Sequence, residues 1–274
     1  EQLESVRKDW YAPNNMTLIV VGDLDRLLPA YLDRAFGELT AINPTEHPPL
    51  PQIQASAAPE RNLIRGYVGG GAKLHWLVPE PVLDNQHDET FDLLKDYLDW
   101  ALYEELRLKH GLSYGPWSQR ETFGDSGMLS LNADLEREDI DQAVEVMQKL
   151  FDHLRKEGLD PDTFERIKYA SVAKESWSTQ GNSALADYYW GALNDYSDGR
   201  FANPVRKLRQ VSLAQANEAL KELLKEDGYL RIEKPLLGYD ELYGLVALLS
   251  GLILAAGLLR WRRHGPEKPS GATR

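Results

Sequence analysis

Cysteine is absent from this 274-residue chain. That excludes a disulfide, a thiolate zinc site and a cysteine nucleophile, and it leaves the compartment open, since cytosolic and periplasmic proteins alike do without cysteine. Positive charge is scarce along most of the length. The formal net charge is −12; Arg260, Arg262, Arg263, Lys268 and Arg274 against Glu267 put residues 260–274 at +4 and residues 1–259 at −16. A body of that sign repels nucleic acid, which is excluded as a partner. The histidines lack second ligands at chelating spacing, for neither H-E-x-x-H nor H-x-x-E-H occurs. His87, Asp88 and Glu89 are merely consecutive, and consecutive side chains at a helix start diverge, so no metal site is expected. The dipole of a helix N-terminus accounts for Glu89.

Only one long apolar run is present. Leu242 to Leu259 (LYGLVALLSGLILAAGLL) carries no charge, and as a helix rising ~1.5 Å per residue it covers about 27 Å, just enough to cross a bilayer. Asp240 and Glu241 precede it; Arg260, Trp261, Arg262 and Arg263 follow it. The one-sided basic cluster predicts a membrane helix over 242–259, a cytoplasmic tail over 260–274 and an extracytoplasmic body, periplasmic in a Gram-negative source, with membrane lipid as a partner. A buried core helix is the alternative, and the abrupt basic end and purely polar tail speak against it. The opening EQLESVRKDW has neither an initiator Met nor an apolar leader. Since the topology requires export, the expectation is that the sequence starts inside a longer gene.

With 42% hydrophobic residues the chain can bury a sizeable core, and its length suggests one to two domains. Residues 1–42 read as the end of a preceding domain: a polar helical stretch, a buried strand over Met16 to Val21 (MTLIVV), and an amphipathic helix over Arg26 to Leu39. So short a piece cannot enclose a core. Residues 43–60, with Pro44, Pro48, Pro49, Pro51 and Pro59, have the composition of a semi-rigid linker. Residues 61–236 form the main domain, whose order of strand, helix, strands, several helices and strand predicts an α+β layer, an antiparallel-rich sheet with helices on one face. Within it, strands are expected at Leu74 to Val78, Met128 to Ala133 and Tyr229 to Glu233. Helices are expected at Glu89 to Lys109, over Ile140 to Leu154 with a stop at Gly158, after the Asp160–Pro161 cap, at Asn182 to Tyr196 and at Ser212 to Lys225.

Two glycine-containing motifs are without chemistry. Gly111 to Gly115 (GLSYG) matches G-x-S-x-G, but a nucleophile elbow needs a strand before its serine and a helix after it, and here the helix comes first. Gly69, Gly70 and Gly71 lack the lysine and helix of a phosphate loop and read as a flexible loop before a strand. There remain Arg107, in the last turn of the long helix, and Tyr114, where the chain enters the next strand. A structural account would pair Arg107 with Glu104 or the helix dipole and bury Tyr114 in the core.

RLKHGLSY, from Arg107 to Tyr114, resembles the R-x-x-x-x-L/G-x-Y element of the pitrilysin/insulinase family of zinc metallopeptidases, the inverzincins. YAPNNMTLIVVGDLD, from Tyr11 to Asp25, is similar to the last strand of that family's N-terminal domain, and GLDPDTFERIK, from Gly158 to Lys168, to one of its helix starts. The resemblance covers roughly residues 4–235 and lies with the family's second, non-zinc half. It implies that Arg107 binds substrate and that Tyr114 both binds substrate and donates a hydrogen bond to the peptide carbonyl or oxyanion during catalysis. It also implies that zinc, the H-x-x-E-H and a further glutamate belong to an N-terminal half or a homologous subunit, this chain holding no metal or other cofactor and being inactive alone. Peptides or unfolded proteins are the implied substrates. The alternative is a non-catalytic structural or substrate-presenting subunit of the same fold.

Overall fold

The computed structural model describes residues 2–42, 60–81, 88–123, 126–193, 196, 199–201 and 203–263. In the main domain, alternation of Ala72, Leu74, Trp76 and Val78 with Gly71, Lys73, His75 and Leu77 produces β2 (Gly71–Glu80), the middle strand of a five-stranded sheet. β2 runs antiparallel to β4 (Ser126–Glu136), from Gly71↔Glu136 to Glu80↔Gly127, and on its other side antiparallel to β5 (Tyr229–Lys234). β3 (Trp117–Phe123) joins β4 antiparallel, and β1 (Glu60–Ile64) joins β5 parallel. The order is β1-β5-β2-β4-β3.

The strand alternation sorts side chains between two faces. Leu74, Trp76, Val78, Leu129, Leu131, Ala133 and Ile232 share the buried face; Lys73, His75, Asn132, Asp134 and Arg231 share the other. Helices α3 (Asp88–Leu102), α4 (Ile140–Glu157) and α8 (Leu213–Leu223) supply the rest of the core. Leu94, Leu98 and Leu102 recur every fourth residue along α3 and are fully buried, each contributing about 1.5–3 kcal/mol of apolar transfer. The Trp76 ring meets Phe151 of α4 edge-on at 4.8 Å, and its indole N–H donates to the Asp227 carbonyl. α5 (Pro161–Ser178) and α7 (Pro204–Gln210) pack outside α3, with α6 (Asn182–Gly191) between them in sequence.

Helix punctuation follows the expected chemistry. α4 stops at Gly158, and the Asp160 side chain caps α5 by accepting from the Thr163 N–H, with Pro161 in the first turn. That hydrogen bond holds the Asp160 carboxyl below its ordinary range. Ser212 and Gln215 form a reciprocal capping box on α8.

Several expectations are corrected. Met16 to Val21 is not a strand: no described strand pairs with it, and Met16, Leu18 and Val20 stand exposed. A strand is held by its ladder, and an apolar run without one stays irregular. Residues 2–42 hold instead α1 (Gln2–Trp10), a 3-10 turn over Pro13–Asn15 and α2 (Leu28–Phe36), shorter than the helix expected over Arg26 to Leu39. Residues 43–59 of the expected linker lie outside the described residues, and Glu60 already belongs to β1. β1 and α7 were not anticipated, the strand expected after Tyr114 is β3, and α6 ends at Gly191 rather than Tyr196. The long helix does not stay α-helical to Lys109. Beyond Leu102 it widens into a π-helix over Tyr103–Lys109.

The apolar run lies within α9 (Tyr239–Arg263), a helix long and apolar enough to cross a membrane and with none of its apolar window buried.

Candidate functional site

The π-helical turn positions Arg107. A π-turn holds one residue more than an α-turn, and such turns occur frequently at functional sites. Here Leu106, fully buried, anchors the inner side, and its carbonyl accepts from both Leu112 N–H (2.7 Å) and Ser113 N–H (3.2 Å) as the chain unwinds. Gly111 makes the reversal at φ +66°, a left-handed conformation that other residues rarely adopt. The chain returns towards β3 with Tyr114 beside the helix it has just left.

The result is a stack. The Arg107 guanidinium lies 4.2 Å from the centre of the Tyr114 ring and 5.1 Å from that of Tyr103. Tyr103 stacks on Trp100 (5.9 Å between ring centres), and Arg166 of α5 lies 4.8 Å over Trp100. Two cations and three aromatic rings thus run from α5 to the turn, and each cation–ring contact is worth ~0.5–1 kcal/mol at exposed sites. Tyr103 escaped the sequence reading; its place four residues before Arg107 was the available signal.

Glu104 does not pair with Arg107. Lys109 takes both neighbouring carboxylates, at 3.3 Å from Glu104 and 2.7 Å from Glu105. Among the described residues Arg107 has no carboxylate partner, so its donor edge is free for a ligand. Tyr114 is 85% exposed and is no core aromatic. Ser113 of the G-x-S-x-G match is buried and out of reach of a substrate.

Tyr114 stands at the rim of a cavity of about 700 Å³ at one end of the sheet. Gly71 and Lys73 of β2, Asp134 and Glu136 of β4, Glu233 and Lys234 of β5, and then Arg65, Asp139 and Pro235 line it. Lys73 faces Asp134 at 3.7 Å, and Glu233 accepts from Arg65 at 3.2 Å and from Arg231. Burial alone would raise the Glu233 carboxyl, but the hydrogen bonds from Arg231 and Arg65 outweigh it and hold the group below the usual glutamate range. Such a lining offers donors and acceptors of both signs, as a polypeptide backbone with mixed side chains requires. Among the described residues no three His, Asp or Glu side chains gather as metal ligands, and His87 lies outside them.

Comparison with known proteins places the chain in a family. Residues 1–170 match a family described as "Peptidase M16 inactive domain". The chain is similar to an "Uncharacterized zinc protease YmxG" of Bacillus subtilis (strain 168), at 20% identity over 250 residues, which are 86% of this chain and 58% of that protein. Its fold resembles that of a predicted insulinase family protease from Yersinia pestis, with a TM-score of 0.62 and 20% identity over 85% of this chain and 54% of that one. It also resembles the periplasmic protease PqqL from Escherichia coli, with a TM-score of 0.65 and 18% identity over 100% of this chain and 31% of that one. The chain therefore spans 58% of the Bacillus subtilis protein, 54% of the Yersinia pestis protein and 31% of PqqL.

Proposed function

The chain belongs to the peptidase M16 inactive-domain family, the non-catalytic C-terminal half of insulinase-type zinc proteases, and from that premise we propose that it binds polypeptide substrate for a zinc-bearing half. The stack of Arg107 between Tyr103 and Tyr114 carries this reading. Stacking holds the guanidinium plane while its N–H fork stays available to peptide carbonyls. The Tyr114 hydroxyl, exposed at the cavity rim, is a hydrogen-bond donor for a carbonyl whose oxygen gains negative charge as the peptide bond is attacked. Zinc itself is assigned to the other half, which the match to a domain described as inactive and the similarity to a zinc protease support.

The domain organisation follows from the same reading. Residues 1–42 complete the preceding half, where the extended Met16 to Val21 segment finds the strand partner it lacks here; residues 43–60 link the halves; residues 61–236 form the substrate-binding domain. α9 anchors the protein in a membrane with the tail of residues 260–274 cytoplasmic and the body outside. Its uniformly exposed apolar surface and the terminal Arg260, Arg262 and Arg263 support that placement.

The test is turnover of an unstructured peptide by the full chain with a zinc-bearing half. Tyr114→Phe is expected to lower kcat by about ten- to a thousandfold with unchanged melting temperature. Arg107→Ala is expected chiefly to raise KM, with poor rescue by Arg107→Lys, whose ammonium has no planar fork. A large loss of melting temperature with intact specific activity would make the pair structural and refute the proposal.

A further inference from the structure

Only Pro235–Gly238 separate β5 from α9, and the structure holds this stretch fast. The N–H groups of Leu236 and Leu237 donate to the carbonyls of Gly66 (3.2 Å) and Tyr67 (2.9 Å), and Gly69 N–H donates to Leu237 (3.1 Å). These bonds form a bridge between Val68 and Leu237. Arg137, just past the end of β4, donates to the carbonyls of Pro235 and Leu236, and its Nη1 lies 3.0 Å from Glu241 in the first turn of α9. Glu241 in turn accepts from Gly238 N–H at 2.9 Å, the reverse arm of a capping box.

The glycine run that reads as a flexible loop is the seat of this root. A Cβ on Gly70 would stand 3.0 Å from Glu136 and 3.7 Å from the Tyr239 ring, and one on Gly238 would stand 3.1 Å from Arg137. At both positions the near neighbour is the end of a side chain, Glu136 Oε2 or Arg137 Nη1, which must give way by a few tenths of an ångström to admit a Cβ, so the root is closely packed there. The root is a socket, with hydrogen bonds in place of a hinge.

The same residues close the cavity beside Tyr114. Lys234 and Pro235 line it, and the four-residue step from Pro235 to Tyr239 spans at most ~14 Å even when fully extended. We propose that the socket fixes the Arg107–Tyr114 cleft against the bilayer surface, and that the polypeptide it receives is tethered to the same membrane. The proposal rests on the reading of cleft and anchor given above. The lining has no excess of positive charge, which disfavours an anionic lipid headgroup as the occupant and leaves a peptide. A body at −16 is repelled by an anionic leaflet, so a loose tether would let the cleft drift outward. Confinement of both partners to one surface raises their effective concentration, an advantage that a freely diffusing substrate does not share.

The absence of cysteine makes the test direct. The full chain is reconstituted into phosphatidylcholine vesicles containing phosphatidylglycerol, with one fluorophore attached at Gly115→Cys, beside the cleft and in open space, or at Thr122→Cys. Thr122 pairs with Gly127, at the other end of β4 from Glu136. Nitroxide headgroup lipids are expected to quench the first label about twofold more than the second, and a ten-residue Gly/Ser insertion between Leu237 and Gly238 to erase the difference. A photo-crosslinking peptide linked to lipid by a short spacer is expected to label the Tyr114 rim about tenfold more efficiently than the same peptide free in solution. Equal quenching of the two labels, or equal crosslinking by the two peptides with free-peptide labelling still dependent on Arg107, overturns the inference and leaves the substrate-binding reading standing. No labelling by either peptide in vesicles that retain the inserted chain overturns both.

Discussion

Leu18 and Val20, in the segment before residue 43, stand 59% and 41% exposed, whereas Leu74 and Leu131 in the sheet are at 0%. Both pairs come from apolar stretches that read as strand. The sheet residues have neighbours on both sides and α3, α4 and α8 beneath them; the N-terminal residues have α2 and little else. Apolar patterning in sequence is a demand for burial, and whether the demand is met depends on which partners the same chain supplies. In residues 60–236 it supplies them. In residues 2–42 Ala12 is the one hydrophobic residue that reaches full burial among those described.

The sharpest way to break this contrast is a pair of truncations of equal chemistry. Leu98→Ala, in the middle of α3, is expected to cost about 2–5 kcal/mol in urea denaturation, while Leu18→Ala changes the stability of this chain by less than about 0.5 kcal/mol. Comparable losses would show that residues 2–42 possess a core of their own. Leu18→Ala should instead weaken association with a zinc-bearing half, measured by titration of one against the other.

α9 extends the comparison to a third region, apolar and with none of its apolar window buried. Truncation after Pro235 is expected to release the body from membranes, with the released fraction read after a carbonate wash. A body that still pellets would show that α9 is not what holds it there.

Smaller effects belong to the cation–aromatic stack. Trp100→Leu removes the ring beneath Tyr103 and is expected to weaken peptide binding by about two- to fivefold through a less ordered Arg107, at nearly constant kcat. An equal fall in kcat would place the stack in the chemistry instead.

The smallest is a pH effect at the root of α9. Glu241 is held below the ordinary glutamate range by the Gly238 N–H and then by Arg137. A depressed carboxyl contributes stability that is present above its unfolded value and lost as pH falls through the folded one. Hydrogen exchange at the Leu242 amide, bonded to the Gly238 carbonyl, should therefore show, after correction for intrinsic rates, constant protection between about pH 6 and 8 and a decline only in acid. Loss of protection near neutrality would assign the root to another titrating group.

Much of the main domain was legible because its periodicity is clean. β2, β4 and β5 alternate, and α4, α5 and α8 carry their own stops and caps in Gly158, Asp160 and Ser212. The bounds of β3 were not, although a strand was expected after Tyr114, for the residues it sends to the buried face are Ser118 and Arg120: Ser118 N–H is received by Asp99, and Arg120 by Glu80 and Asp92. Polar pairing replaces the apolar signal there. β1 sits at an edge and needs only one partner, so its polar ERNLI has no alternation to detect. Arg107 and Tyr114 were visible as residue types, but their stacking depends on a backbone widening that no spacing rule reveals. Arg137 escaped notice because its partners, two main-chain carbonyls and Glu241, lie about a hundred residues away, where no local spacing reveals them.

The π-turn at Tyr103–Lys109 makes the direction of Arg107 a matter of counting. One residue is worth ~100° of azimuth on a helix of 3.6 residues per turn. Were the turn an ordinary α-helix, the four residues from Tyr103 to Arg107 would carry the guanidinium ~40° past the azimuth of Tyr103, whereas the wider π-turn rotates less per residue and sets it at a different azimuth with the same residue types. The direction of Arg107 therefore depends on how the backbone winds as well as on which side chains it carries, and a change that tightens the turn would redirect the guanidinium while leaving every residue type of the stack in place.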